Sequence, residues 1–224
     1  MKYVELTILM PCLNEEKTIE ICINKALNFI KKENINAEIL IADNGSTDKS
    51  VEIVKRYGVN IIEIEERGYG NALRYATLKA KGKYVIMADC DDSYNFLEIM
   101  PLLEKLRQGN DLVIGNRFKG KMEKTAMPIT HKYIGTPILS FLIRKKYNVN
   151  IHDVNCGLRG YNNKKLISLE CRATGMEYAS EMIIKAKKAN FNIIEIPINF
   201  YKDGRNGKSH LNAIRDGIRH LKII

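Results

Sequence analysis

The five cysteines (Cys12, Cys22, Cys90, Cys156 and Cys171) include no C-x-x-C pair, so neither a zinc clamp nor a disulfide frame is expected. They read as reduced thiols of a cytosolic protein. No stretch reaches the roughly 18–20 apolar residues that span a bilayer; the longest, 133–143, falls well short. The basic-then-apolar pattern of a secretory leader is missing too, with Lys2 and Glu5 set in early strand character. No repeat, low-complexity tract or linker divides the chain, and one domain is expected over 1–224. A nucleic-acid motif is also lacking, and the aromatics are not interleaved with basic residues. What is present is an ordinary soluble composition, 45% apolar and 28% charged, with 36 basic against 26 acidic residues. That balance favours anionic partners such as nucleotides, phosphorylated lipids or an acidic membrane surface.

The chain is organised around 84–92, YVIMADCDD. A short apolar run emptying into three carboxylates reads as a buried strand whose acidic end lies in the ligand crevice of an open α/β sheet. Asp89 and Asp91 alternate along an extended backbone, so both can point the same way. Two hard oxygen donors suit Mg2+ or Mn2+ shared with substrate phosphates. An acidic turn capping the next helix is the plainer alternative. Before this stretch the pattern predicts strands at 4–10, 38–42 and 59–64, with helices opening at 14–16 and covering 49–57 and 71–81. After it come a helix at 101–108, a strand at 111–118, a Lys-rich loop at 119–127 and a helix at 131–146 with Ile134, Ile138, Leu142 and Ile143 on its apolar face. A mixed strand and turn at 153–161, a helix at 177–189 and an edge strand at 193–200, broken by Pro197, complete the sheet. This alternation predicts a Rossmann-like, mostly parallel α/β sheet with helices on both faces.

Four stretches fall at strand ends on one rim: Pro11-Cys12-Leu13-Asn14-Glu15, Asp43-Asn44-Gly45-Ser46-Thr47-Asp48, Asp89-Cys90-Asp91 and Gly115-Asn116-Arg117-Phe118. Together they resemble the family 2 inverting glycosyltransferases of the GT-A fold, most closely the branch that loads a sugar onto polyprenyl or dolichol phosphate. The resemblance implies a nucleotide-sugar half at 1–118, an acceptor half at 119–210 and a basic amphipathic helix at 211–224. It implies that Pro11, Leu13, Asn14 and Glu15 hold the donor, that Ala42, Asp43 and Asn44 lie at the base, and that Gly68, Gly70 and Asn71 start a helix near the diphosphate. Asp89, Cys90 and Asp91 would form the D-x-D that carries the metal. Asn44 stands where a second Asp is commoner, and Ser93 where a Gln often touches the metal.

A phosphate monoester acceptor needs cations rather than a base, because it is already ionised at neutral pH. Arg117, Lys132, Arg159, Arg205 and Lys208 are expected in loops or at element ends, with Arg117, Lys132, Arg205, Lys208 and His210 as the acceptor and phosphate ligands. Asp153, in Asp153-Val154-Asn155-Cys156-Gly157-Leu158-Arg159, is read as a carboxylate orienting a cationic acceptor residue. It is also the best base if the acceptor is a sugar hydroxyl, with Glu177 and Glu181 behind it. Asp91, Asp153 and Arg117 are therefore the expected catalytic residues. In the tail, Leu211, Ile214, Ile218 and Leu221 form one helical stripe opposite Asn212, Arg215, Arg219 and Lys222, able to lie in a membrane interface or to pack on the domain. The expectation is a metal-dependent enzyme, peripheral on the cytoplasmic face of a membrane, moving a hexose from a UDP- or GDP-sugar to polyprenyl phosphate. The alternative acceptor is a sugar hydroxyl of a glycan. A nucleic-acid binder or a catalytically dead nucleotide-sugar sensor is the remaining class, and intact Asp89 and Asp91 argue against the sensor.

Overall fold

The computed structural model describes residues 4–205 and 213–224. Seven strands form one sheet in the order β3-β2-β1-β4-β6-β5-β7. The strands are β1 (Leu6–Cys12), β2 (Ala37–Asp43), β3 (Asn60–Glu63), β4 (Tyr84–Met87), β5 (Leu112–Asn116), β6 (Arg159–Asn162) and β7 (Ile193–Pro197). All neighbours are parallel except β6, which runs antiparallel to both β4 and β5. The helices are α1 (Ile19–Glu33), α2 (Ser50–Tyr57), α3 (Tyr69–Lys79), α4 (Met100–Arg107), α5 (Thr136–Tyr147), α6 (Asn163–Ser168), α7 (Tyr178–Lys188) and α8 (Ala213–Ile223). Parallel pairing forces crossovers, and the helices that make them cover both faces. The strands accordingly read as continuous apolar runs, with Leu6 to Met10 and Val85 to Met87 buried. Pro197 ends the edge strand β7, where a missing N–H costs no ladder bond.

Several boundaries move for local reasons. Pro11 lies inside β1, because its side of the strand faces β4 where the ladder has ended; the Pro11 carbonyl instead accepts the Cys90 thiol at 3.0 Å. Asn14 takes a left-handed backbone (φ 58°), which delays α1 to Ile19. β5 stops at Asn116, whose Oδ1 accepts the Phe118 and Lys119 amides and turns the chain. The helix expected at 131–146 begins as a π turn, His131–Gly135, before α5. Its wider turn rotates the face that α5 presents. Thr136, Leu139, Ser140 and Ile143 are buried, whereas Ile134 and Ile138 of the expected apolar face are exposed. In the tail, Ile218 and Leu221 do not take the alternative of packing on the domain. α8 buries Asp216 and His220 and leaves Ile218 and Leu221 in solvent. No helix among the described residues is long and apolar enough to cross a membrane.

Candidate active site

The loops after β1, β2, β4 and β5 converge on one cavity of about 1280 Å3. Pro11 lines it from the end of β1, Leu13 and Glu15 from the first loop, Asn44 from the second, Asp89 and Asp91 from the third and Arg117 from the fourth. Strand ends that share a register deliver loops to one rim, which is why short strands suffice.

The acidic wall is built around Asp91. Its Oδ1 accepts the Ser93 amide at 3.0 Å and the Ser93 hydroxyl at 2.6 Å, and its Oδ2 accepts Arg205 Nη2 at 3.0 Å. Arg205 Nη1 reaches Glu15 Oε1 at 3.0 Å, and the same guanidinium binds Asp203. Arg205 thus bridges the acidic rim. Asp89 Oδ1 accepts the Tyr69 hydroxyl at 2.9 Å. Loss of water, and then the like charge of Asp91, pushes the Asp89 carboxyl up to about 6. Burial likewise raises Glu15 to about 7, against the pull of Arg205. Asp92 turns away, with a left-handed backbone and an ion pair to Lys25 at 2.6 Å.

Two carboxylates under this electrostatic load fit a divalent cation, which would relieve both the desolvation and the mutual repulsion. Among the described residues no third Asp, Glu, His or Cys joins them in a metal-holding cluster. The remaining ligands of such an ion would be water and diphosphate oxygens, the manner in which Mg2+ is ordinarily held at phosphate sites.

The opposite wall is cationic and rigid. Asp153 is fully buried and spends both oxygens on Arg117: Oδ2 accepts the backbone amide at 3.0 Å and Nε at 2.8 Å, and Oδ1 accepts Nη2 at 2.7 Å. The guanidinium also lies 5.1 Å from the centre of the Phe200 ring, which packs on Tyr94. Held on these two sides, Arg117 lines the cavity and its Nη1 takes no acceptor among the described residues. Asp153 does not reach the cavity wall, and neither do the other two candidate bases. Glu181 accepts the Arg172 and Ala173 amides and pairs with Lys185, while Glu177 accepts the Gly175 amide and Arg219.

Arg159 stands at an element end as expected, opening β6, and is fully buried, donating to the carbonyls of Cys156, Ala179 and Val154 while bordering the cavity. Other expected residues are placed differently. Asn14 holds the Thr47 amide, and Asp43 holds those of Gly45 and Ser46; neither lines the cavity, nor do Ala42 and Cys90. Asn44 spends its amide nitrogen on the Ile64 and Glu66 carbonyls and its oxygen on the Gly68 amide. A carboxylate there would face two carbonyl oxygens, which explains the amide. The start of α3 offers no free N–H at these glycines, because Gly70 and Asn71 donate to the Thr174 carbonyl. Gly70 is required by that approach, since a Cβ would lie 2.2 Å from the Ala173 carbonyl oxygen. Lys132 does not line the main cavity; it lies in a separate groove. Lys208 and His210 lie outside the described residues.

The sequence reading passed over Tyr69, the loop 173–176, and the inward side of α8 with Arg215 and Arg219. Their i, i+4 spacing is the available signal, and in the sequence it marks only the polar side of the amphipathic tail helix. Gly157 was seen only as part of a motif. Its missing side chain makes room for Asp89, because a Cβ would meet Oδ2 at 2.5 Å.

A mostly parallel sheet carrying paired carboxylates and cationic groups at its strand ends defines the GT-A class. Residues 7–169 match the model of glycosyl transferase family 2, and the chain belongs to that family. It is 34% identical over 220 residues to the low-salt glycan biosynthesis hexosyltransferase Agl6 of Haloferax volcanii, covering 98% of this chain and 52% of that protein. The chain therefore spans about half the length of that relative. It is also 28% identical to a dolichyl-phosphate hexose transferase of the same organism, covering 95% of this chain and 89% of the relative. Among solved structures it resembles glucosyl-3-phosphoglycerate synthase of Mycobacterium tuberculosis, crystallised with Mn2+, uridine diphosphate and phosphoglyceric acid. The TM-score is 0.75 at 18% identity, over 98% of this chain and 77% of that one. That likeness establishes the fold.

Proposed function

We propose that the chain transfers a hexose from a UDP- or GDP-sugar to polyprenyl phosphate with inversion at the anomeric carbon, at the cytoplasmic face of a membrane to which it binds peripherally. Asp89 and Asp91 would hold Mg2+ or Mn2+, which supplies charge neutralisation for the departing nucleoside diphosphate. Pro11, Leu13 and Glu15 would flank the donor. Arg205 must leave Asp91 when the donor enters, and its guanidinium is then within reach of the diphosphate. Arg117, locked by Asp153 and Phe200, would present Nη1 to the acceptor phosphate. One phosphate oxygen attacks the anomeric carbon as the bond to the diphosphate breaks, and no proton need be removed from the nucleophile.

One observation carries the choice of acceptor: Asp153, Glu177 and Glu181 all lie off the cavity wall, Asp153 and Glu181 with both oxygens engaged and Glu177 with Oε1 held by the Gly175 amide and Arg219. A sugar hydroxyl would lack a carboxylate base from this set, whereas a phosphate needs none. The name of the dolichyl-phosphate hexose transferase relative points the same way. The test is a screen of UDP- and GDP-hexoses with Mn2+ or Mg2+ and a short-chain polyprenyl phosphate. The expected product is a glycosyl phosphodiester cleaved by mild acid. Transfer to a glycan hydroxyl, with none to the lipid phosphate, would overturn the proposal.

A further inference from the structure

A second groove, of about 290 Å3, opens between the loop after β5 and the start of α5. Its walls are Phe118, Tyr133 and Pro137, and its polar groups are Lys132, Arg144 and His152, with no carboxylate among them. Lys132 and Arg144 form no ion pair among the described residues. Arg144 makes one long contact, from Nη1 to the Ile151 carbonyl at 3.4 Å. Two unpaired cations sharing a small concave site are suited to an anion with several oxygens.

Beside the groove the surface is apolar. Ile134, Ile138 and Phe141 follow one another at helical spacing along the π turn and α5, each about half exposed, and Tyr133 is more exposed still. α8 packs against the same turn and exposes Ile218 and Leu221. The Ile224 carbonyl, just past α8, accepts the Tyr147 hydroxyl at the end of α5 at 3.0 Å, so the ends of the two helices meet. The first stripe reads as a core face in the sequence and the second as either a packed or an interfacial one, and Ile134, Ile138, Ile218 and Leu221 all face solvent in the fold. A water-exposed apolar face of this kind marks an interaction surface. Its charge says with what: residues 119–150 hold seven Lys or Arg and one Glu.

We propose that the groove seats the phosphodiester headgroup of an anionic phospholipid on Lys132 and Arg144, while Ile134, Ile138 and Phe141 enter the lipid beside it. The inference deepens the reading that the acceptor is carried by a membrane, and rests on it for the presence of a bilayer. It assigns the face that meets the lipid and a headgroup site separate from the reacting centre.

Sedimentation with phosphatidylcholine vesicles, with and without added phosphatidylglycerol, tests it without donor or acceptor. Wild-type protein should prefer the anionic vesicles. Lys132→Gln/Arg144→Gln should weaken that binding about thirtyfold, the loss expected for two interfacial cations. Lys31→Gln/Lys32→Gln removes equal charge from the exposed last turn of α1 and should bind like wild type. Arg144→Lys keeps a cation and should retain most of the affinity. Ile138→Ser/Phe141→Ser, at exposed positions where the fold is not at risk, should lose binding to both kinds of vesicle. Inorganic phosphate should displace the protein no better than chloride at the same ionic strength. Equal losses in the two charge-removing variants, release by inorganic phosphate alone, or indifference of the wild type to phosphatidylglycerol would overturn the assignment. A protein that binds vesicles through this groove yet transfers nothing to polyprenyl phosphate would retire the proposed acceptor and leave the headgroup site standing.

Discussion

Replacing Asp153 by Asn separates the two roles a carboxylate could play beside Arg117. The native side chain accepts three N–H groups of Arg117 with a full negative charge. Asn offers one acceptor oxygen, and its amide NH2 must face one of the same donors. The guanidinium is then left buried, neutralised by nothing else on that side, and the loss of one partner from a buried pair costs about 3–5 kcal/mol. For a domain of 224 residues that predicts a melting temperature lower by roughly 6–20 °C. Transfer to polyprenyl phosphate, measured well below the new melting point, should fall modestly as Arg117 loses its fixed aim. Removal of a general base would instead cost about 10²–10⁴ in rate. Thermal unfolding followed by circular dichroism and initial rates of the same preparation decide the matter. An unchanged melting temperature together with a rate loss of that size would mean that Asp153 reaches the acceptor, and the orienting role would be wrong.

Asp91→Ala should abolish Mn2+-dependent binding of UDP, read by titration calorimetry, while the far-ultraviolet spectrum stays native; metal-dependent affinity in the variant would remove Asp91 from the site. Asn44→Asp should cost about 1–3 kcal/mol, because the Ile64 and Glu66 carbonyls would face a carboxylate instead of an amide; a melting temperature at or above wild type contradicts this. His220 is buried beside the Ser180 hydroxyl at 2.7 Å, and burial lowers its pKa to about 4. Its folded-state value lies below the unfolded value of about 6.5, so the unfolded chain binds the proton first and stability falls as pH drops from about 6.5 to about 4. The loss attributable to this group is about 3 kcal/mol, and His220→Gln should flatten that part of the stability profile relative to wild type.

Much of the donor side was legible because it is written in short local patterns. An apolar run that ends in Asp89 and Asp91 reads as a strand delivering carboxylates to its C-terminal end, because unpaired buried charge is costly, although an acidic helix cap gives the same local pattern. Periodicity puts Ile134 and Ile138 on an apolar face that the fold leaves exposed, and for Ile218 and Leu221 it leaves packing and a membrane interface both open. Helical periodicity reports that a stripe exists, not what covers it. α5 carries two overlapping stripes, and the π turn selects the one with Leu139 and Ile143 for the core. α8 turns His220 and Asp216 inward because those groups find Ser180 and neighbouring charges there, an outcome set by residues forty positions away. Arg205 is expected among the phosphate ligands, but only the folded chain shows it bridging Glu15 and Asp91.

That last contact changes what donor entry involves. An acidic rim without a compensating cation would repel a diphosphate, and Arg205 neutralises it from within the chain. On the proposed function, a divalent ion held by Asp89 and Asp91 would compete with Arg205 for Asp91, and the displaced guanidinium would lie beside the diphosphate. Charge on the rim would then be handed over rather than added, so donor binding should depend on metal more steeply than two carboxylates alone would require. Arg205→Gln exposes the difference: it should raise the affinity for Mn2+ measured without nucleotide and lower the affinity for UDP measured at saturating Mn2+. If both affinities fall together, Arg205 is a structural clasp of the loop, and the exchange does not occur.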